Sequence, residues 1–438
     1  MMMKKMKKVL ILTYYWPPGG GAGVQRCLKF VKYLREFGYE PIVYTSLNGE
    51  MPVIDNSLMR DIPEGVRVLK TPIWEPYNLY KSFIGQGKDE KINAAFLTEK
   101  KKPSLTQKVS VWLRGNIFIP DARKFWIKPS VKYLTHYLKD NPVDIIFSSG
   151  PPHTMHLIAY HLKKKFNIPW VADFRDPWTN IDYYKDLMLS PAADKKHHRL
   201  EQLVVTTADK VVVIGDTMKT EFETLSGRKV DVIYNGFDTD DIDNSAGIKR
   251  DEKFSLAHIG TLVKTRNPMV LWKTLSELVA NDKGFADDLL IKLVGKVDFS
   301  VRESLKEYEL EKYVQYTEYL PHGEIGGVQK ASQVLLLLLN NTPNAKGILT
   351  GKFFEYLASE RPILCIGLTD GDAAKIIDNT KAGYTIGFED SVSMKKTILR
   401  LYDDYKNGSL IVNSQNINQY SRRNLTHQLA DLMNKTLI

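Results

Sequence analysis

The sequence has little cysteine. Its 438 residues include two, Cys27 and Cys365, far apart and without CxxC spacing. That excludes a disulfide scaffold, gives no support for a structural zinc site and fits a reducing cytosol. Long apolar runs are also missing. The longest covers 334–339, whereas a membrane-spanning helix needs about 20 apolar residues. The basic start, MMMKKMKK, has only the apolar stretch 9–12 behind it and then a turn, so it does not make an export signal. At 43% hydrophobic and 26% charged residues the composition is that of a globular protein, and global disorder and collagen-like repeats are excluded. The length suggests two or three domains. What the chain does have is positive charge: 61 Lys+Arg against 51 Asp+Glu, a formal +10. An excess of that size points to anionic partners.

The hydrophobic pattern alternates strand and helix. Residues 8–13 (KVLILT) form a short run of β-formers, followed by a glycine-rich turn at 19–23. Val24, Cys27, Leu28, Val31 and Leu34 then recur at helical spacing, Gly38 closes that helix, and 41–45 (PIVYT) is a second strand. This is a βαβ unit, the start of a parallel doubly wound sheet. Further strands are predicted at 144–148, 170–173, 210–214 and 230–233, with a helix over 155–166. A second series has strands at 254–260, 289–295, 334–340, 362–367 and 384–387, with helices at 268–280, 353–359 and 372–379. The expected architecture is α/β, with two Rossmann-like domains. Residues 1–245 form the first, 246–415 the second, and 416–438 a helix packing back on the first. One stretch breaks the alternation. Residues 81–130 are too long for an ordinary βα connection and hold eleven basic against four acidic residues, a net +7, interleaved with Trp112, Phe118 and Trp126.

Several motifs stand in a telling order: LILTYYWPPGGGAGVQR, VADFRDPW, VIYNGFD, HIGTL and TGKFFEYLASERPIL followed by GDAAKII. Together they resemble bacterial retaining glycosyltransferases of the GT-B type, in the large family 4-like group that builds surface polysaccharides. The resemblance runs from about Lys8 to the final helix. It implies two Rossmann-like domains facing a cleft, with a nucleotide diphosphate-sugar held mostly by the second domain and UDP as the expected nucleotide. It also implies a glycan or lipid-linked glycan acceptor on the first domain, retention of configuration, and no metal and no cofactor beyond the donor substrate. The expected location is cytoplasmic, peripheral at the inner face of the plasma membrane, with 81–130 toward an anionic membrane surface. Nucleic acid is not expected, because no recognised module is present.

The candidate residues follow. Gly20, Gly21 and Gly23 lie between strand and helix, where a backbone can approach an anion at a helix N-terminus; the loop is neither a strict GxGxxG nor a P-loop. Arg26 in the first turn is either a further cation there or a solvated one. In Asp173-Phe174-Arg175-Asp176, three charges beside a buried strand must be paired or functional. Asp173 or Asp176 is the candidate for orienting an acceptor hydroxyl, and Arg175 for contacting phosphate. Relatives carry a histidine at the position of Arg175, so a histidine-based role has no counterpart here. Trp178 is a candidate for stacking on a sugar or for the core. His153 and His156 lack the neighbours of a metal site and read as structural. Lys264 and Arg266 follow a second-domain strand where the family neutralises diphosphate. Thr350, Gly351 and Lys352 open the helix that carries Glu355. The family has two glutamates with seven residues between them; Glu355 matches the second, which takes the ribose hydroxyls, and Gly347, eight positions earlier, stands in place of the first. The two DxD matches within 238–243 read as a solvated hinge. Two alternatives stay open: a nucleotide-sugar epimerase of the same fold, or a non-catalytic nucleotide-sugar binding protein.

Overall fold

The computed structural model describes residues 6–51, 53–75, 105–243, 247–318, 320 and 322–438. The chain divides into two compact units. Unit one is Met1–Tyr234 together with Arg423–Ile438, and unit two is Asn235–Arg422.

Unit one is built on a seven-stranded parallel sheet ordered β3-β2-β1-β4-β5-β6-β7. Its strands are β1 (Lys7–Leu12), β2 (Tyr39–Ser46), β3 (Arg67–Thr71), β4 (Ile145–Gly150), β5 (Trp170–Phe174), β6 (Lys210–Val213) and β7 (Asp231–Val232). The helices are α1 (Ala22–Tyr33), α2 (Leu105–Asn116), α3 (Ile127–Asp140), α4 (Thr154–Phe166), α5 (Pro191–Thr207) and α6 (Asp216–Ser226). Strand β1 shows why its sequence is continuously apolar. Val9 and Ile11 join one core cluster, with α1, while Leu10 and Leu12 join the other, with α3 and α4. A strand covered on both faces has no polar side to alternate with. The cluster on the α1 face is completed from the far end of the chain by Leu425, Leu429 and Met433, on the helix Arg422–Thr436.

Unit two has a six-stranded parallel sheet ordered β10-β9-β8-β11-β12-β13. The strands are β8 (Phe254–Ile259), β9 (Leu289–Val294), β10 (Val314–Thr317), β11 (Val334–Leu338), β12 (Ile363–Ile366) and β13 (Gly383–Ile386). Its helices are α7 (Thr239–Asp243), α8 (Met269–Asn281), α9 (Lys283–Asp288), α10 (Phe299–Glu307), α11 (His322–Ala331), α12 (Gly351–Ala358), α13 (Asp372–Thr380) and α14 (Ser391–Lys406). The chain-terminal helix of unit one is α15 (Arg422–Thr436).

In each sheet the order reverses once, between β1 and β4 in unit one and between β8 and β11 in unit two. Open parallel sheets bind ligands outside the carboxyl ends of the strands at such a reversal. The glycine loop follows β1, the loop of His153 follows β4, Lys264 and Arg266 follow β8, and Thr350 precedes α12 after β11. The candidates from distant sequence positions thus collect at two switch points.

Residues 81–130 connect β3 to α3, and their second half is built into unit one. Trp126, one of the interleaved aromatics, is buried and stacks on Tyr44 at 5.2 Å, its indole donating to Thr71 Oγ1 at 2.8 Å. Arg123 pairs with Glu75 at 2.9 Å. Lys81, Lys88, Lys91, Lys100, Lys101 and Lys102 lie outside the described residues. The acidic run at 238–243 is not simply a solvated hinge either, because Asp238 is buried.

Candidate functional site

At the switch point of unit two, polar groups surround the end of β8. His258, on the mostly apolar strand β8, is buried. Its Nδ1 lies 3.2 Å from the Leu336 carbonyl. A carbonyl can only accept, so Nδ1 carries the proton and Nε2 is left as an acceptor. Lys352 Nζ fills it at 3.1 Å and also donates to the Ile259 carbonyl at 3.0 Å. An ammonium has three protons, so one is left for a ligand. Burial holds the His258 imidazole well below its ordinary pKa, and the Lys352 charge adds to this. Lys352 itself keeps an edge at the surface, but the protein mass around it, with Arg266 beside it, lowers its ammonium to about 7.

Two glycines make room for this pair. Gly260 has φ +112, and a Cβ there would come within 3.4 Å of Lys352 Nζ. Gly295 has φ +108, and a Cβ there would press to 3.0 Å on the backbone of Gly260. Arg266 is half-buried and its Nε donates to Asn340 Oδ1; Lys264 in the same turn is exposed. Thr350 is the N-cap residue of α12 but caps no N–H, and its buried hydroxyl has no hydrogen-bond partner among the described residues. Gly351 and Lys352 form the first positions of that helix. Glu355, one turn on and half-buried, accepts from Gln329 Nε2 at 3.3 Å. Gly347 ends a short 3-10 turn, Ala345–Gly347, and brings no side chain to this region. A depression lined by Lys253, Lys283, Asp287 and Lys312 lies at the start of β9 and β10, the opposite end of this sheet.

At the switch point of unit one, the charges are spent on one another. Asp173 is fully buried, and Arg26 is 1% exposed. Arg26 Nη2 and Nε reach the carboxylate at 2.7 and 3.0 Å, and its nitrogens also donate to the carbonyls of Ile233 and Tyr234, both at 2.9 Å. Ser149 Oγ donates to Asp173 Oδ2 at 2.7 Å. Arg26 is therefore neither a loose cation nor solvated; it is the counter-ion of Asp173. Nor does Asp173 present a free carboxylate to an acceptor. Arg175 is buried too, and its guanidinium ties three carbonyls, those of Gly23 in the first turn of α1 (2.8 Å), Gly150 at the end of β4 (3.3 Å) and Pro151 after it. It acts first as a clamp on the loops after β1 and β4, with three of its five N–H groups engaged. Asp176 keeps its tip exposed, while the surrounding protein desolvates it and raises its carboxyl to about 6 against the pull of Arg175.

The glycines divide by task. Gly20 donates its amide to the Val53 carbonyl at 2.9 Å, and a Cβ would meet Asp55 at 2.9 Å, so it packs the 53–55 segment. Gly23 is held between Tyr15 and Arg175. Gly21, at φ +87 with open space around it, is the uncapped N-cap of α1. Trp178 belongs to the core. It is buried, stacks on His153 at 4.4 Å and donates its indole N–H to His197 Nδ1 at 3.1 Å. His156 is fully buried, with Nδ1 2.9 Å from Ser148 Oγ, and burial lowers it to about 3.

The structure thus brings together Lys352, Arg266, Thr350, Gly351 and Glu355 in unit two, with Lys264 at the rim. In unit one it brings together Gly21, Gly23, Asp173, Arg175 and Asp176. Sequence reasoning missed His258. Its one signal was an imidazole in the mostly apolar run FSLAHI, two positions before Gly260.

These features have relatives. Residues 92–241 match the model of Glycosyltransferase Family 4. That match to the glycosyltransferase family spans about a third of the chain, within unit one and the beginning of unit two. No curated protein matches in sequence. Among solved structures, a glycosyltransferase from Rickettsia africae is similar at a TM-score of 0.62 and 15% identity, covering 99% of each chain. Sucrose-phosphate synthase from Thermosynechococcus elongatus matches at 0.62 and 12%, over 98% of each chain. A TarM point mutant of S. aureus, solved with fondaparinux, alpha-GlcNAc-glycerol and UDP, matches at 0.59 and 12%, over 98% of this chain and 99% of that one. At these identities the likeness shows the fold: two Rossmann-like units of the GT-B type.

Proposed function

We propose that this protein is a glycosyltransferase that moves a sugar from a nucleotide diphosphate-sugar, with UDP as the nucleotide, to a glycan or lipid-linked glycan acceptor in surface polysaccharide synthesis. The observation that carries the reading is the cationic cluster at the β8–β11 switch point. Lys352, poised on neutral His258 with a proton to spare, lies at the N-terminus of α12 beside the buried Thr350 hydroxyl, which has no partner among the described residues. Helix N-termini and cations suit a diphosphate. In glycosyl transfer the bond from the anomeric carbon to the phosphate oxygen breaks, and negative charge grows on the leaving diphosphate. Lys352 and Arg266 neutralise that charge as it develops. Glu355, with one amide partner, has acceptor capacity left for paired ribose hydroxyls.

The acceptor belongs to unit one. There Asp176 is the charged group of the 173–176 stretch with an exposed carboxylate, and it orients the incoming hydroxyl. The hydroxyl oxygen bonds to the anomeric carbon, and its proton passes to the departing phosphate oxygen on the same face. Configuration is retained, and no strong base is required of the protein. The family match over 92–241 and the GT-B fold support the reading.

The test is a panel of UDP-, GDP- and ADP-sugars incubated with purified protein, following nucleotide release and equilibrium binding. Binding and release with one nucleotide class is expected. No binding and no release across the panel would overturn the proposal. Tight binding without transfer to any acceptor would instead mark a non-catalytic binder, and epimerised sugar without acceptor an epimerase.

A further inference from the structure

We infer that His258 is a positioning residue: its imidazole, wedged where strands β8 and β11 part, aims the Lys352 ammonium at the diphosphate of the donor. This rests on the reading of the Lys352 cluster as the diphosphate site, and it adds the group that sets the geometry of that cluster.

The two strands separate before either ends. Strand β8 runs to Ile259 and β11 to Leu338, yet their register holds only the pairs Leu256–Val334 and Ala257–Leu335. Past that point the backbone groups facing the gap need other partners, because buried N–H and C=O groups are rarely left unpaired. Side chains supply them. The Leu336 carbonyl takes His258 Nδ1 at 3.2 Å. The Ile259 amide donates to Tyr356 Oη at 3.1 Å, and the Ile259 carbonyl accepts from Lys352 Nζ at 3.0 Å. Lys352 and Tyr356 are four residues apart on α12, so one face of that helix closes the opening. His258 is 1% exposed and Tyr356 fully buried.

The chemistry of position 258 is specific. It must donate to a carbonyl on one side and accept from an ammonium on the other, and a neutral imidazole does both within one rigid ring. An apolar side chain, the usual occupant of such a strand, would do neither. A carboxylate could not donate to Leu336, and it would cancel the charge that a diphosphate needs. Burial keeps the imidazole neutral. Lysine carries its charge on a flexible four-carbon stem, and fixing the head costs rotamer entropy. His258 Nε2 at 3.1 Å and the Ile259 carbonyl fix it before a ligand arrives, which lowers the cost of binding. Gly260 leaves the ammonium unscreened on its own side, where a Cβ would stand 3.4 Å from Nζ. Arg266 and Glu355 act on Lys352 through their charge; His258 and Ile259 hold it by hydrogen bonds.

The experiment is titration calorimetry of UDP with the full chain, the variants His258→Phe, His258→Gln and Lys352→Ala, and the double variant His258→Phe/Lys352→Ala. Phenylalanine keeps a ring and removes both nitrogens, whereas the glutamine amide can still donate and accept. His258→Phe should weaken UDP binding about tenfold, the worth of one hydrogen bond to a charged group, and His258→Gln should restore most of it. In the Lys352→Ala background His258→Phe should cost nothing further, because residues that act through one contact are not additive. Nitrogen NMR of the unliganded chain gives a second readout and decides the case if His258→Phe does not fold. The His258 proton is expected on Nδ1, and the Nε2 resonance should shift in Lys352→Ala. Thermal midpoints confirm that each variant folds. UDP binding by His258→Phe as tight as by the unaltered chain, an equal loss with and without Lys352, or a proton on Nε2 overturns the proposal and leaves the diphosphate reading standing. Failure of the unaltered chain to bind UDP removes that reading, and the role of His258 with it.

Discussion

Lys352 and Asp176 are the two groups whose protonation the site geometry makes consequential. The Lys352 ammonium, lowered to about 7, is charged below that pH and neutral above it. A bound diphosphate favours the charged form, so donor affinity should be full below about 7 and fall as pH rises through the bound-state value. The Asp176 carboxyl, raised to about 6, is ionised above that pH and protonated below it. If the carboxylate orients the acceptor, turnover falls as pH drops through 6. Together these give a narrow bell in kcat/KM with limbs near 6 and 7. Asp176→Asn should flatten the acid limb and leave donor binding intact. Lys352→Ala should weaken donor binding by about 10- to 100-fold, the value of a hydrogen bond to a charged group. A pH–rate series with isothermal titration of the donor checks all three. A different residue-scale expectation concerns the Arg26–Asp173 pair. Arg26→Ala leaves a buried carboxylate without its cation and should cost about 3–5 kcal/mol in denaturant unfolding, with stability as its primary effect. At this scale the sequence marked positions better than tasks. Lys352 and Glu355 could be located from TGKFFEYLA, but the Arg26–Asp173 pair spans 147 residues, and no local pattern connects them.

The interior strands were legible because both of their faces are buried. VLIL and VLLLL are apolar runs, and IIFS and LLIKLV nearly so, all too short for helices and bounded by turns. The two strands that sequence reading missed, β3 (RVLKT) and β10 (VQYT), each lie at one edge of a sheet. Each has one neighbour and half-exposed side chains, so its composition looks like a loop. The helix α12 offers a prediction at this scale. Replacing an N-cap threonine by alanine ordinarily costs about 1 kcal/mol. Thr350 caps no N–H and its hydroxyl is buried without a partner among the described residues, so Thr350→Ala should leave the unfolding midpoint nearly unchanged. If the hydroxyl serves the diphosphate, donor affinity should nevertheless fall severalfold. Calorimetry of unfolding and of binding on the same variant separates the two effects.

For the whole molecule, the strongest pH lever on stability is a set of neutral imidazoles. His153, His156 and His258 are buried, and burial holds each below its ordinary 6.5. A lowered folded-state value means that the unfolded chain takes up the proton first. Stability is therefore full above 6.5 and declines as pH falls, by about 1.4 kcal/mol per pH unit for each imidazole. Thermal midpoints between pH 7 and pH 5 should drop steeply. His156→Asn, which keeps a polar partner for Ser148, should make that slope shallower.

The return of the chain to unit one has a consequence in time. Residues 1–234 leave a ribosome first, yet Leu425, Leu429 and Met433, which complete their core beside α1, are made only after unit two. All of unit two is synthesised in between. The nascent first unit must wait with an apolar face uncovered, and its closure comes only after unit two has been synthesised. Release of a chain ending before residue 423 should give a unit one that binds chaperones and resists folding, with unit two already protected from protease. Supplying Arg423–Ile438 as a separate peptide should shorten that exposure.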